Sequence, residues 1–273
     1  MIHLLDAVKI SKRFDGITAL CDVSVCVERG EVVALIGPNG AGKTTLFNCL
    51  TGVLQPDDGA VTFDGRDLGG LAPYERSRLG LGRTFQQIEL FTGLTVLEHL
   101  LVADRAQHCR SALGRDLIGR SAPTAEELSR CRSVLDLVGL GDDADRPAES
   151  LSLGRGRVVE LARALVCEPR LLFLDEPSSG LGAQETADMA AVLEQVRTER
   201  DLAILLCEHD VHFVERLATR TYVLDSGRLI AEGPTAEALG QPGVRTAYLG
   251  VGHDRGRIAG PRDVRAGAHG GLS

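Results

Sequence analysis

Residues 37 to 45 read Gly-Pro-Asn-Gly-Ala-Gly-Lys-Thr-Thr, and the spacing Gly37-x-x-x-x-Gly42-Lys43-Thr44 is that of a phosphate-cradling P-loop. Glycine at Gly37, Gly40 and Gly42, with Pro38, Asn39 and Ala41 between them, lets successive backbone N–H groups turn inward around phosphate oxygens. Lys43 adds a charge at the β- and γ-phosphates, Thr44 offers a hydroxyl to Mg²⁺, and Thr45 carries the loop into a helix whose positive end faces the anion.

A second chemical feature is Leu171-Leu-Phe-Leu-Asp175-Glu176, an apolar run ending in two adjacent carboxylates. Carboxylates at the end of a buried strand are costly unless a cation or a proton transfer uses them. Asp175 suits the Mg²⁺ shell, and Glu176 suits the orientation and activation of an attacking water. Alone, such a pair is more often a solvated turn; the phosphate loop upstream reverses that reading towards a site. Leu151-Ser152-Leu153-Gly154-Arg155 is by itself a Ser/Gly turn ahead of a helix, and its place one helix before the acidic strand makes it informative.

These groups need elements to position them. Ala7–Ile10, Val23–Val27, Val32–Ile36 and Ala60–Phe63 read as strands, punctuated by Asp15-Gly16, Arg29-Gly30 and Asp64-Gly65. Val32–Ile36 is continuously apolar, as a strand buried on both faces should be, and it runs into the glycine loop; Lys43–Leu50 then reads as a helix. From about residue 88 the pattern turns helical. Thr95…Glu98 and Thr124…Glu127 have capping-box spacing, the second leading into the stripe Leu128, Cys131, Leu135 and Val138. The polar stretch Gln107–Ala122 between them reads as a loop. Beyond residue 156 a helix (Val158, Leu161, Ala162, Leu165), the strand Leu171–Leu174, a helix (Met189, Leu193, Val196) and the strand Leu202–Leu206 alternate. That alternation predicts an α/β fold with a mostly parallel sheet wrapped by helices. Residues 251–273, rich in Gly and Arg, read as a disordered tail.

Composition bounds the function. A hydrophobic content of 44% supports a core, while an aromatic content of 4% without Trp argues against base-stacking platforms. The net charge of −8 argues against a nucleic-acid-coating role, which needs a basic face. The seven cysteines form no C-x-x-C pair and mostly lie in apolar stretches such as Leu205-Leu-Cys207, which fits buried thiols in a reducing compartment. The amino terminus lacks the pattern of a secretory signal, and no apolar run approaches the roughly 18 residues of a membrane span.

With these motifs in order, the chain resembles the ATP-binding cassette (ABC) ATPases over residues 2 to about 250. Gly37–Thr45 matches Walker A, Leu171–Glu176 Walker B and Leu151–Arg155 the signature motif. Arg83-Thr-Phe-Gln86 resembles the Q-loop, Ser178–Gly182 the D-loop, and Glu208-His209-Asp210 the H-loop. Phe14 falls where the family stacks an aromatic on adenine. The resemblance implies a P-loop NTPase fold with a mostly parallel core sheet, antiparallel amino-terminal strands and a helical insert. The nucleotide-binding core would span 1–87 and 156–250, and the helical subdomain 88–155. It implies ATP and Mg²⁺ as ligands, with Thr44, Gln86 and Asp175 around the metal, Glu176 as base, and His209 at the γ-phosphate. It further implies a head-to-tail dimer, homo- or heteromeric, in which Ser152 and Gly154 bind the γ-phosphate of the other subunit's ATP. Permease subunits, indirectly a solute-binding protein, and a place on the cytoplasmic face of the cell membrane follow from the same resemblance; nucleic acid does not.

Arg83–Phe91, Leu94–Ala103 and the ending Ala247-Tyr-Leu-Gly250 are most similar to ATPase subunits of branched-chain amino acid importers, whose relatives move other small polar solutes. Two positions depart from the family pattern: the signature ends in Arg155, followed by Gly156, where Gln or a similar polar residue is usual, and Gly182 ends the D-loop where Asp or Asn is usual. Those departures motivate a second reading, an ATP-gated assembly module with little turnover; an exporter ATPase is a third.

Overall fold

The structure is a computed structural model that describes residues 3–84, 90–108 and 122–244. Gln86, most of the polar insert, the 247–250 ending and the 251–273 tail therefore lie outside the described residues.

The chain opens with a hairpin, β1 (Leu5–Phe14) and β2 (Ile17–Val27), turning at Asp15-Gly16. β3 (Val32–Ile36) leads into α1 (Lys43–Thr51), followed by β4 (Asp58–Phe63), β5 (Arg66–Asp67), α2 (Pro73–Arg78) and β6 (Leu81–Arg83). Next come α3 (Val96–His108), α4 (Ala125–Leu137), two short 3-10 turns and α5 (Leu153–Leu165). The chain returns through β7 (Leu171–Asp175), α6 (Ala183–Arg200), β8 (Ala203–Cys207) and α7 (Val211–Leu217) to β9 (Arg220–Asp225), β10 (Arg228–Pro234) and α8 (Thr235–Gly240).

Among the described residues these strands form two sheets, an antiparallel one ordered β2-β1-β4-β5 and another ordered β10-β9-β3-β8-β7-β6. In the second, every pairing is parallel except β10 with β9. β3, β7 and β8 are buried along their whole lengths, which explains their unbroken apolar sequences. Their alternate residues serve different cores. Val32, Ala34, Ile36, Leu172, Leu174, Ile204 and Leu206 pack towards α3–α6. Val33, Leu35, Leu171, Phe173, Leu205 and Cys207 pack towards α1 and the antiparallel sheet. Phe47 of α1 meets Phe173 edge-on, with ring centroids 5.6 Å apart, a favoured aromatic geometry.

The structure refines several sequence expectations. The hairpin strands are longer than their apolar cores, because register shifts between Ala7 and Arg13 let β1 keep pairing with β2 past its alternating segment. Gln107 belongs to α3 rather than to a loop. The division at 155/156 falls inside α5. β5, β6, β9, β10, α2, α7 and α8 have no counterpart among the sequence expectations.

A buried cation fixes the far end of α1. Arg76 is 1% exposed, and its guanidinium donates to the carbonyls of Cys49 and Leu50 in the last turn of α1 and to Leu68 and Leu71. It thereby satisfies orphan helix carbonyls and sits at the negative end of the helix dipole.

Both anticipated capping boxes form. Thr95 N–H donates to Glu98 at 2.7 Å, and Thr124 N–H donates to Glu127 at 2.7 Å, each answered by the reverse bond at 3.2 Å. Glu127 also takes a bidentate pair from Arg105 of α3 at 2.9 and 3.1 Å. The Arg105 hydrogen bonds, which outweigh burial, hold its carboxyl down at about 2. A carboxyl depressed by folding adds stability above its unfolded pKa and loses that contribution as acid protonates it. Here the window runs from about 4.5 down to about 2. Glu127→Gln should therefore cost about 1–2 kcal/mol at neutral pH. In urea titrations the gap from wild type should narrow as pH falls through that window; a constant gap would refute the assignment.

Candidate functional site

Parallel strands carry their connecting loops to a common carboxyl edge, where open α/β sheets bind ligands. Leu35 and Asp175 both pair with Cys207, so the ends of β3, β7 and β8 lie side by side. The glycine loop, Asp175-Glu176 and Glu208-His209 follow those ends directly. The charges of Asp175, Lys43, Glu176 and Glu208 all reach the Cys207 thiol, whose pKa is pushed up by burial first of all.

The loop is shaped by close packing. A Cβ on Gly37 would lie 2.1 Å from the Leu224 carbonyl of β9, and one on Gly42 would lie 2.6 Å from the Ala19 carbonyl of β2. Gly42 is also left-handed, with φ 104°, and heads α1 without any side-chain cap. The first-turn amides of α1 thus have no side-chain acceptor at Gly42, the arrangement that receives an anion. Lys43 is 6% exposed and donates to the carbonyls of Gly37 at 2.7 Å and Pro38 at 3.1 Å. Asn39, Gly40 and Thr44 are exposed; Thr45 is half-buried. The β9–β10 turn braces the loop, with Gly227 N–H donating to Ala41 O at 2.9 Å.

Asp175 is 4% exposed and pairs with Arg83 at 3.3 Å. Burial raises its pKa, opposed chiefly by Arg83 and reinforced by Glu176. Arg83 also donates to Asn48 at 2.7 Å and Thr51 at 3.1 Å, tying β7 to α1. Glu176 is a non-glycine residue in the left-handed region, φ 50°. Its N–H donates to Cys207 O at 2.9 Å, and its carbonyl accepts from Ser179 N–H at 3.0 Å. A strained residue pinned from both sides at a strand end marks a position where conformation outranks local comfort. An exposed hydroxyl at Thr44 and a buried carboxylate at Asp175 are hard oxygen donors of the kind Mg²⁺ takes, sparsely, alongside phosphate. Among the described residues no group of three or more His, Cys, Asp or Glu could hold a metal by itself.

The carboxylate of Glu208, fully buried, is the group that sequence reasoning passed over in favour of its neighbour. It accepts from Ser178 N–H at 2.8 Å and His209 N–H at 3.0 Å, clamping the segment after Glu176 to the segment carrying His209. The His209 ring itself is exposed. Burial flanked by donors from distant loops leaves no sequence signal beyond a Glu after an apolar strand. Phe14 lies at the tip of the β1–β2 hairpin, 42% exposed, with the Lys12 ammonium 5.7 Å from its ring centroid. It is therefore a surface ring, not a core aromatic.

Ser152 and Gly154 stand at the start of α5, where Ser152 is the N-cap and its hydroxyl accepts from Arg155 N–H at 3.4 Å. Within one chain nothing described links them to the glycine loop. Arg155 turns back, ion-paired with Asp143 and donating to Gly139 O at 3.1 Å. Burial raises the Asp143 pKa, but the hydrogen bonds from Arg155 and Arg146 outweigh it and the net direction is down.

Comparison with known proteins agrees with this geometry. The family described as "ABC transporter" matches residues 20–179. The high-affinity branched-chain amino acid transport ATP-binding protein LivG of Salmonella typhimurium is 41% identical, over 87% of this chain and 94% of its own. BraF of Pseudomonas aeruginosa, described in the same terms, is 38% identical over 90% of this chain and 98% of its own. The crystal structure of the ADP conformation of MJ1267, an ATP-binding cassette of an ABC transporter, superposes with a TM-score of 0.82 at 32% identity, covering 92% of this chain and 100% of that one.

Proposed function

Since the chain belongs to the ABC transporter family, we propose that it is the ATP-hydrolysing subunit of an importer for branched-chain amino acids or a similar small polar solute. The observation that carries this reading is the convergence of the uncapped α1 loop, Asp175-Glu176 and His209 at one sheet edge.

Phe14 stacks on adenine, and the amides of residues 37–45 enclose the phosphates. Lys43 exchanges its bonds to the Gly37 and Pro38 carbonyls for phosphate oxygens. Thr44 and Asp175, with Gln86, hold Mg²⁺, which neutralises charge on the phosphates when bound. Glu176 orients the attacking water and accepts its proton, and His209 contacts the γ-phosphate. Glu208 keeps the backbone of the last two segments in mutual register. Ser152 and Gly154 act on ATP held by a second copy or a paired ATPase, which is why one chain leaves them apart from its own glycine loop.

Among the described residues no helix is long and apolar enough to cross a membrane. Because the relatives are ATP-binding subunits of transporters, translocation falls in this reading to separate permease subunits, which the 88–155 region would grip from the cytoplasmic face. The curated relatives named above are branched-chain amino acid transport proteins, and that supports the solute class. Reconstitution in proteoliposomes with the permease subunits of a branched-chain amino acid importer tests the reading. ATP- and Mg²⁺-dependent uptake of radiolabelled leucine is expected; ATP-driven dimerisation with no hydrolysis and no uptake would favour the assembly-module alternative.

A further inference from the structure

One carboxylate joins two helix starts. Glu185 Oε1 accepts from Gly154 N–H at 3.2 Å and from the Ser152 hydroxyl at 3.4 Å, both at the head of α5. Its Oε2 accepts from Gly182 N–H at 3.2 Å, at the head of α6. The first turn of α5 has no acidic residue of its own, so Glu185 supplies from α6 the negative charge that a helix N-terminus favours. The fit is close: a Cβ on Gly154 would lie 2.7 Å from Glu185 Oε1 and 3.0 Å from Cγ. The carboxylate therefore holds the same donors that an incoming phosphate oxygen would use.

We propose that Glu185 occupies the Ser152 hydroxyl and the Gly154 amide in the isolated chain and must be displaced by ATP presented from a second copy before the two copies close. This rests on the reading in which Ser152 and Gly154 act on the other subunit's ATP. Until displaced, the carboxylate opposes the terminal phosphate by like charge, which is costly at an interface. Glu185 thus sets how much ATP closure demands. Because its second oxygen holds Gly182, its departure also frees the end of the segment that begins just after Glu176. Gly182 has no side chain to contribute there, so the hydrogen-bonded link between α5 and that segment runs through Glu185, beside the Leu153 side chain that lies near Gly180.

The experiment follows ATP-dependent dimerisation by sedimentation in a Glu176→Gln parent, with Glu185→Ala or Glu185→Gln added. Glu185→Gln removes the charge and keeps one amide oxygen, which can accept from Gly154 or from Gly182 but not from both. The ATP concentration for half-maximal dimer is expected to fall about tenfold for Glu185→Ala and about threefold for Glu185→Gln. A purely structural Glu185 would give the opposite sign, since loosening α5 raises the ATP demand. A parent that dimerises while both variants show unchanged or increased demand overturns the inference alone. A parent that stays monomeric at saturating ATP overturns this inference, which needs a second copy, and leaves the functional reading standing only with a paired ATPase as partner; loss of ATP binding itself would overturn that reading.

Discussion

Glu176→Gln is expected to reduce ATP turnover by on the order of a hundredfold or more while leaving ATP bound and two copies locked together. The amide is nearly the same size as the carboxylate, so the left-handed backbone at φ 50° and its bonds to Cys207 and Ser179 should persist. What disappears is the ability to take a proton from water. Phosphoryl transfer asks little covalent chemistry of the protein, so positioning by the loop and by Lys43 survives and nucleotide still binds. Dimer formation consumes ATP binding energy only, and hydrolysis is what reverses it. Steady-state phosphate release and sedimentation with ATP read the two effects separately. A fully active Glu176→Gln protein would remove Glu176 as the base and leave the water's activation to another group.

The second large effect is expected at Gly42. Replacing it with Ala imposes a left-handed strain of about 1–2 kcal/mol and drives a Cβ to within 2.6 Å of the Ala19 carbonyl, a backbone atom that cannot swing aside. The loop must then shift, and the first amides of α1 lose their aim at the phosphates. ATP affinity should drop about a hundredfold, the equivalent of about 2.8 kcal/mol. Gly40→Ala provides the contrast, for it is left-handed at φ 82° but a Cβ there meets nothing within 4 Å. It should cost about tenfold or less, the strain alone. Equal losses for the two variants, by calorimetric titration with ATP, would show that close packing against β2 is not what shapes the loop.

What the sequence disclosed follows from how local each signal is. The glycine loop, the apolar run ending in Asp175-Glu176 and the two capping boxes are defined by spacing within a few residues, and spacing survives without a structure. The buried strands were legible because double-sided burial removes polar alternation. Glu208 was not, because its meaning lies in the amide of Ser178, thirty positions away and delivered by the parallel register of β7 with β8. Arg76 was equally opaque: a guanidinium in a short helix reads as surface until Cys49 and Leu50 close over it. β9 and β10 escaped notice although β9 presses the Leu224 carbonyl against the glycine loop. The departure at Arg155, one of the two that motivate the assembly-module reading, is occupied within its own chain by Asp143. Glu185, an ordinary third residue of a helix by sequence, meets α5 only in three dimensions.

The two ends of α1 were treated differently by this sequence. Arg76 seals the carboxyl end from inside the protein, whereas Gly42 leaves the amino end without a side-chain partner. The helix is thus a half-finished object, complete only when something negative arrives. Nucleotide does not so much dock onto a ready-made domain as supply the last missing part of its secondary structure. Release of phosphate, in the same terms, is a small local step of unfinishing, and its reach into the rest of the chain is limited at the other end by a cation that never leaves.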